Sequence, residues 1–231
     1  MKINIVIPAY LPTEDHVRFL KEAIGSVYAQ TFDDWMCTVV INGGVADSTF
    51  NEYDSRVDLI SFPYKSSAAV ARNIGVAQHL DCEYVCFLDA DDMFYPNKLE
   101  KQLAAFEEDE SLDFCFTRAS LIDHNSNHVG SYTVGNSDAL ITADIQKIIE
   151  DENVLIMSSG MGKLKSFISS GMFVATNEYR IGSKWPPKHA NNKGYLYEDF
   201  MFHHSALQHG YQFKILDEEL VKYRTNSSVE R

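Results

Sequence analysis

Tyr84-Val85-Cys86-Phe87-Leu88-Asp89-Ala90-Asp91-Asp92 is the stretch that decides how this chain is read. Its first five residues form an unbroken apolar run, the pattern of a strand covered on both faces. The run stops in three carboxylates within four positions. In parallel α/β sheets, ligands gather outside the carboxyl ends of strands, so such a strand delivers concentrated negative charge where a ligand binds. That charge calls for a cation. All-oxygen ligation suits Mg²⁺ or Mn²⁺, which retain water and take further ligands from substrate phosphates. A turn of helix-capping acids before Pro96-Asn97 is the other reading of the same residues.

Outward from this stretch, short apolar runs alternate with segments of helical period, the signature of crossover units in an α/β fold. Ile3 to Ile7 reads as the first strand. Val17, Leu20, Ala23, Ile24 and Val27 then recur at three- and four-residue spacing, giving a helix with a buried stripe. Trp35 to Ile41 and Val57 to Phe62 are the next strands, and Ser67 is the expected N-cap of a helix running through Ala77. Past the acidic turn, the pattern predicts a helix from Pro96 to Glu108 and a strand from Phe114 to Leu121. A polar, turn-rich tract from Asp123 to Asn136 follows, then a helix on Ile141, Ile145, Ile148 and Ile149. Phe167 to Ala175 reads as a strand, Ser183 to Gly194 as a loop carrying Trp185, and Glu198 to Gln208 as a helix. Tyr211 to Leu216 and Leu220 to Tyr223 read as closing strands.

At 231 residues with 45% apolar and 23% charged composition, the chain is expected to fold as one domain rather than to be disordered. Its net charge of -13 has the wrong sign for counterion-release binding to nucleic acid or to an anionic lipid surface. Small anions remain compatible, because a bound divalent cation or a helix N-terminus holds phosphate locally. Four cysteines without a CxxC pair read as reduced core residues. The apolar run Ile3-Asn4-Ile5-Val6-Ile7 is too short for a signal peptide and is stopped by Pro8, and no stretch approaches the roughly 20 apolar residues of a transmembrane helix. The expectation is a cytoplasmic location, with Asn226-Ser227-Ser228 an accidental sequon.

Five pieces occur together in order: Ile5-Val6-Ile7-Pro8-Ala9-Tyr10, Ser26-Val27-Tyr28-Ala29-Gln30-Thr31, Ala71-Arg72-Asn73-Ile74-Gly75, Phe87-Leu88-Asp89-Ala90-Asp91-Asp92 and Glu198-Asp199. Their order and spacing resemble the family 2 glycosyltransferases of the GT-A fold, most closely over residues 1–110 and more thinly over 165–224. The resemblance implies a Rossmann-like mixed, mostly parallel sheet flanked by helices in a single domain, with residues 1–110 as the nucleotide-sugar-binding half and 111–231 as the acceptor-binding half. It implies a metal-dependent inverting hexosyl- or N-acetylhexosaminyltransferase, using Mn²⁺ or Mg²⁺ and moving sugar from a nucleotide diphosphate donor to a glycan or other hydroxyl acceptor. Carried onto this sequence, Pro8, Ala9, Tyr10, Asn42 and Arg72 line the nucleotide site, Asp89 faces the ribose, Asp91 holds the metal, and Asp199 is the general base. Asp92 reads as a brace.

Two departures stand out. Asn42-Gly43-Gly44 replaces the usual Asp-Asp-Gly, putting an amide where a carboxylate is expected near the base or ribose; an amide both donates and accepts, so it can hydrogen-bond uracil or suit another base, and uridine is the expected nucleoside. Tyr223-Arg224-Thr225-Asn226 replaces Tyr-Arg-x-His, exchanging a possible imidazole ligand for an amide. The processive signature Gln-x-x-Arg-Trp is absent. His203, His204 and His209 read as packing or surface residues, Lys163 and Lys165 as solvated charges, and Trp185, His189 and Tyr195 as flanking the active face. Rival readings of the same residues are a haloacid-dehalogenase-type phosphatase, a nucleotidyltransferase and a non-catalytic nucleotide-sugar or glycan-binding module. The first expects Thr or Val where this chain has Met93, and the second expects a Gly-rich basic loop where it has 9–14. The binding module differs in leaving bound donor unhydrolysed.

Overall fold

The computed structural model describes residues 2–44, 53–132, 140–149, 154–174 and 198–225. Strands β1 (Ile3–Leu11), β2 (Trp35–Gly44), β3 (Val57–Phe62) and β4 (Tyr84–Phe87) alternate with helices α1 (Glu14–Tyr28) and α2 (Ala68–Gln78). Next come β5 (Met93–Phe94), α3 (Lys98–Glu108), β6 (Phe114–Ile122), β7 (His128–Tyr132), β8 (Leu140–Ile141), α4 (Thr142–Ile149), β9 (Met161–Lys163) and α5 (Leu164–Ser169). The described chain ends with α6 (Glu198–Gln208) and β10 (Phe213–Arg224).

Among the described residues these strands form one mixed sheet in the order β3-β2-β1-β4-β9-β6-β10-β5, with β7 beside β6 and β8 beside β10. β1 pairs in parallel with β2 and β4, β2 with β3, and β6 with β10. β9 is antiparallel to both β4 and β6, so the β6–β10 pair points the same way as β4. The carboxyl ends of β1, β2, β4, β6 and β10 therefore share one edge, and the site lies there.

Period-two alternation splits the core into two layers. Ile3, Ile5, Ile7, Tyr84, Cys86 and Leu88 face a layer shared with α1 and α3. Val6, Val85 and Phe87 face the other, shared with α4, α5 and α6. α2 packs tightly against β1: a Cβ at Gly75 would lie 2.4 Å from Val6 Cγ1. The helix begins as expected, with the Ser67 side chain accepting from the Val70 N–H at 3.3 Å.

Three segments differ from the sequence reading. Phe167 to Ala175 is not a strand. Leu164 and Phe167 are buried from the face of α5, and the chain then turns through Gly171 (φ 97°) and Met172 (φ 57°), a conformation no strand continues through. Apolar residues at 164, 167, 168 and 173 fit a short helix plus a turn as well as a strand. The two closing strands are one, β10, whose register shifts around Asp217-Glu218-Glu219 absorb a polar stretch that reads as a turn. The polar tract after Asp123 contains β7, antiparallel to β6. Trp185, His189, Tyr195, Asn226 and the loop from Ser183 to Gly194 lie outside the described residues.

Arg224, the last residue of β10, is 1% exposed and ties this edge together. Its Nε donates to the Asp91 carbonyl at 2.8 Å, Nη1 to the Asp123 carbonyl at 2.7 Å, and Nη2 to Glu22 Oε2 on α1 at 2.8 Å. Its guanidinium stands 4.2 Å over the Phe19 ring. Removing one member of such a buried charged network strands its partners. Arg224→Met is expected to lower unfolding stability by about 3 kcal/mol in urea titrations; a loss below about 0.5 kcal/mol, the range of ordinary surface changes, would show the network to be dispensable.

Candidate active site at the carboxyl edge of the sheet

Each carboxylate of the turn after β4 has its own surroundings. Asp92 is fully buried, accepting from Ser158 Oγ at 2.6 Å and from the Arg224 N–H at 2.9 Å. Burial first, then the charges of Asp91 and Asp89, push its carboxyl well above the usual range. It braces the turn. Asp89 is partly exposed and accepts from Arg72 Nη2 at 2.7 Å, while its N–H donates to Ser158 Oγ at 3.0 Å. Asp91 is partly exposed, with its carbonyl fixed by Arg224.

Arg72, on the second turn of α2, has a side chain only 5% exposed. Its Nη1 donates to Glu198 Oε1 at 2.8 Å while Nη2 holds Asp89, so one guanidinium joins the turn after β4 to the start of α6. The same guanidinium lies 5.4 Å over the Phe173 ring. Asn73 holds Phe173 by both amide ends, to its carbonyl at 2.8 Å and from its N–H at 3.2 Å.

Asp199 is partly buried beside Glu198 at the start of α6. Burial, then the Glu198 charge, raises its carboxyl to about 6, opposed by Arg72 and by the Phe200 N–H, which donates at 2.7 Å. One turn along, His203 is fully buried and edge-on to Phe116, with neither ring nitrogen hydrogen-bonded among the described residues. Burial and the Arg72 charge lower its pKa to about 3, so it packs as a neutral ring. His204 stacks on Phe200 and His209 bonds back to the Ser205 carbonyl. Lys163 donates to the Glu110 carbonyl.

The residues that the sequence reading assigns to the nucleotide lie at the same edge. Pro8 and Ala9 pair with Val40 and Ile41, and Tyr10 sits at the register shift that follows. Tyr10 is 36% exposed, with Lys65 Nζ 4.0 Å from its ring centroid. Asn42, at the end of β2, donates from Nδ2 to the Ser66 carbonyl at 2.9 Å and accepts the Ser66 N–H at Oδ1. Both ends of its amide thus hold the residue just before the N-cap of α2, and so help set where that helix begins. The parts a sequence reading misses are Ser158, Lys65, Phe173 and the bracing by Arg224. Of these only Arg224 carries a signal, as the Arg of Tyr223-Arg224.

Several likenesses relate this chain to known proteins. The family described as glycosyl transferase family 2 matches residues 4–165. An uncharacterized glycosyltransferase of Methanocaldococcus jannaschii is 26% identical over 230 residues, covering 96% of this chain and 70% of its own length. The UDP-Glc:alpha-D-GlcNAc-diphosphoundecaprenol beta-1,3-glucosyltransferase of Escherichia coli is 29% identical over 127 residues, covering 54% of this chain and 48% of its own. Among solved structures, S. aureus TarS in complex with UDP-GlcNAc superposes with a TM-score of 0.69 at 17% identity, over 98% of this chain and 59% of that one. This likeness shows the fold. The chain spans 26% of the length of a Rickettsia conorii relative and about half of the E. coli one.

The Asn42 pairing makes a specific demand. Aspartate cannot donate to the Ser66 carbonyl, so Asn42→Asp is expected to destabilise the fold by about 1–3 kcal/mol in urea titrations at pH 7. Equal stability of the two proteins would show that the amide does not fasten the end of β2 to the start of α2.

Proposed function

The chain belongs to glycosyl transferase family 2, and from that premise we propose that it transfers a sugar from a nucleotide diphosphate donor, UDP-linked, to a glycan or other hydroxyl acceptor with inversion at the anomeric carbon. The observation that carries the proposal is the pair of carboxylate stations, Asp89/Asp91 and Glu198/Asp199, joined at one sheet edge by the ion pairs of the buried Arg72 with Asp89 and Glu198. The uridine assignment is supported by what the E. coli relative's name and the TarS complex say of those proteins.

In this reading, Pro8, Ala9 and Tyr10 border the nucleotide together with the β2–α2 junction that Asn42 fastens, and Asp89 faces the ribose. Asp199 takes the proton from the acceptor hydroxyl as its oxygen bonds to the anomeric carbon. The bond from that carbon to the diphosphate oxygen breaks, and its electron pair leaves with the diphosphate. A positioned base of this kind contributes roughly 10²–10⁴ in rate.

A divalent cation fits the turn after β4. Asp91 offers oxygen from a backbone fixed by Arg224, and the buried Nε2 of His16 has no hydrogen-bond partner among the described residues. Asp91's charge acts on that ring, whose Nδ1 is anchored by Thr13 Oγ1 at 2.7 Å. Among the described residues no three His, Cys, Asp or Glu side chains form a ready cage, in keeping with an ion that takes phosphate and water as its other ligands. Such an ion, Mn²⁺ or Mg²⁺ held by Asp91, would neutralise charge on the departing diphosphate. Among the described residues no helix is long and apolar enough to cross a membrane.

A screen of nucleotide sugars for hydrolysis and transfer, with and without Mn²⁺, tests the proposal. UDP is expected to compete better than GDP, CDP or dTDP; a clear preference for GDP or dTDP would overturn the uridine assignment. Asp91→Asn should weaken donor binding and metal dependence together. Asp199→Asn should leave donor affinity within a few fold while turnover falls roughly 10²-fold or more. Because the base must be deprotonated, kcat/KM should rise with pH through a midpoint near 6, the value for Asp199 in the free protein; a donor that binds but is never turned over would instead indicate a binding module.

A further inference from the structure

Arg72, which the resemblance places at the nucleotide, engages two carboxylates far apart in sequence, Glu198 and Asp89, with its two terminal nitrogens. We propose that Arg72 is a positioning residue that locks the start of α6 to the turn after β4, holding Glu198 and Asp89 at once and so placing Asp199 for proton transfer. The proposal rests on the reading of Asp199 as the base.

The geometry is specific to arginine. The two bonds, at 2.8 and 2.7 Å, leave from different Nη atoms. A planar fork can meet two carboxylates at once, whereas lysine presents a single point of charge on a flexible stem. The side chains of Glu198 and Asp89 are 29% and 27% exposed against 5% for Arg72, so the shared cation is the buried member. Its own placement is secured from below by Phe173, which the neighbouring Asn73 grips by its backbone. The start of α2 is secured in turn by Ser67 capping Val70 and by Asn42 bonding Ser66.

Electrostatics tie this clamp to Asp199. Among the described residues, the charged groups acting on Asp199 include Glu198 on its own helix, Arg72 from α2 and Asp89 from the turn after β4; the Phe200 N–H donates to it, and His203 one turn on is neutral. Arg72 is the cation in this set. A spacer that only filled volume would leave the titration of Asp199 untouched, whereas a clamp whose charge faces the base would not.

The test is a ¹³C NMR titration of side-chain carboxyls in ligand-free protein, with the Asp199 resonance assigned by its loss in Asp199→Asn. The wild-type midpoint is expected near 6. Arg72→Gln, which removes the cation, should raise the midpoint by about one pH unit or more, while Arg72→Lys, which keeps it, should stay within about half a unit. A folded Arg72→Gln protein with an unchanged midpoint would overturn the proposal. Should Arg72→Gln fail to fold, Arg72→Lys decides through kinetics: kcat should drop about tenfold or more with donor KM within a few fold, and unaltered kcat would overturn it. Because the titration uses no donor, a shifted midpoint in a protein that transfers no sugar would leave the clamp standing and remove the assignment of Asp199 as base.

Discussion

Three carboxylates at the end of a buried strand repel one another and resist leaving water, and most of what surrounds this edge answers that constraint. Asp92 is sealed in by Ser158 and the Arg224 N–H. Asp89 is neutralised by Arg72, and the Asp91 backbone is held by the Arg224 side chain. The two arginines do not stop at the turn. Arg224 reaches Glu22 on α1 and the carbonyl of Asp123 beyond β6, and Arg72 reaches Glu198 on α6. The charge concentrated after β4 is thus the point to which distant elements are fastened.

The same constraint explains how residues of one type come to differ in character. Asp92 is kept from ionising easily by full burial and two like charges. Asp199 is raised more modestly because Arg72 and the Phe200 N–H counter its burial and its neighbour Glu198. A carboxyl poised near 6 is deprotonated at neutral pH yet still basic enough to accept a proton, which suits a general base. Environment makes the four acids differ: Asp92 braces the turn and Asp89 meets the buried Arg72, while in the proposed reading Asp91 is placed for a cation and Asp199 for proton transfer.

Much of the framework is legible from pattern alone. β1, α1, β4, α2 and α6 follow from unbroken apolar runs, three- and four-residue spacing and the Ser67 cap, because local periodicity reports which face is buried. Where periodicity is ambiguous, reading fails: the apolar residues at 164, 167 and 168 fit a strand until the positive φ at Gly171 and Met172 ends the segment as a turned helix. Polar residues mislead differently. Asp217-Glu218-Glu219 looks like a turn and is an exposed irregularity within one strand. Asn42 carries a second task that its sequence does not announce, since both ends of its amide hold Ser66. The buried contacts of Arg72 and Arg224 join residues 126 and 202 positions apart, so no local signal in a single sequence reveals them.

The central claim is that the two carboxylate stations act on opposite sides of one displacement. The most direct measurement is the anomeric configuration of the first-formed transfer product, read by ¹H NMR coupling constants immediately after reaction with the donor found by screening. A single displacement assisted by Asp199 predicts a product inverted relative to the sugar nucleotide. A product with retained configuration would contradict the account, because it requires a nucleophile beneath the anomeric carbon instead of a base on the acceptor.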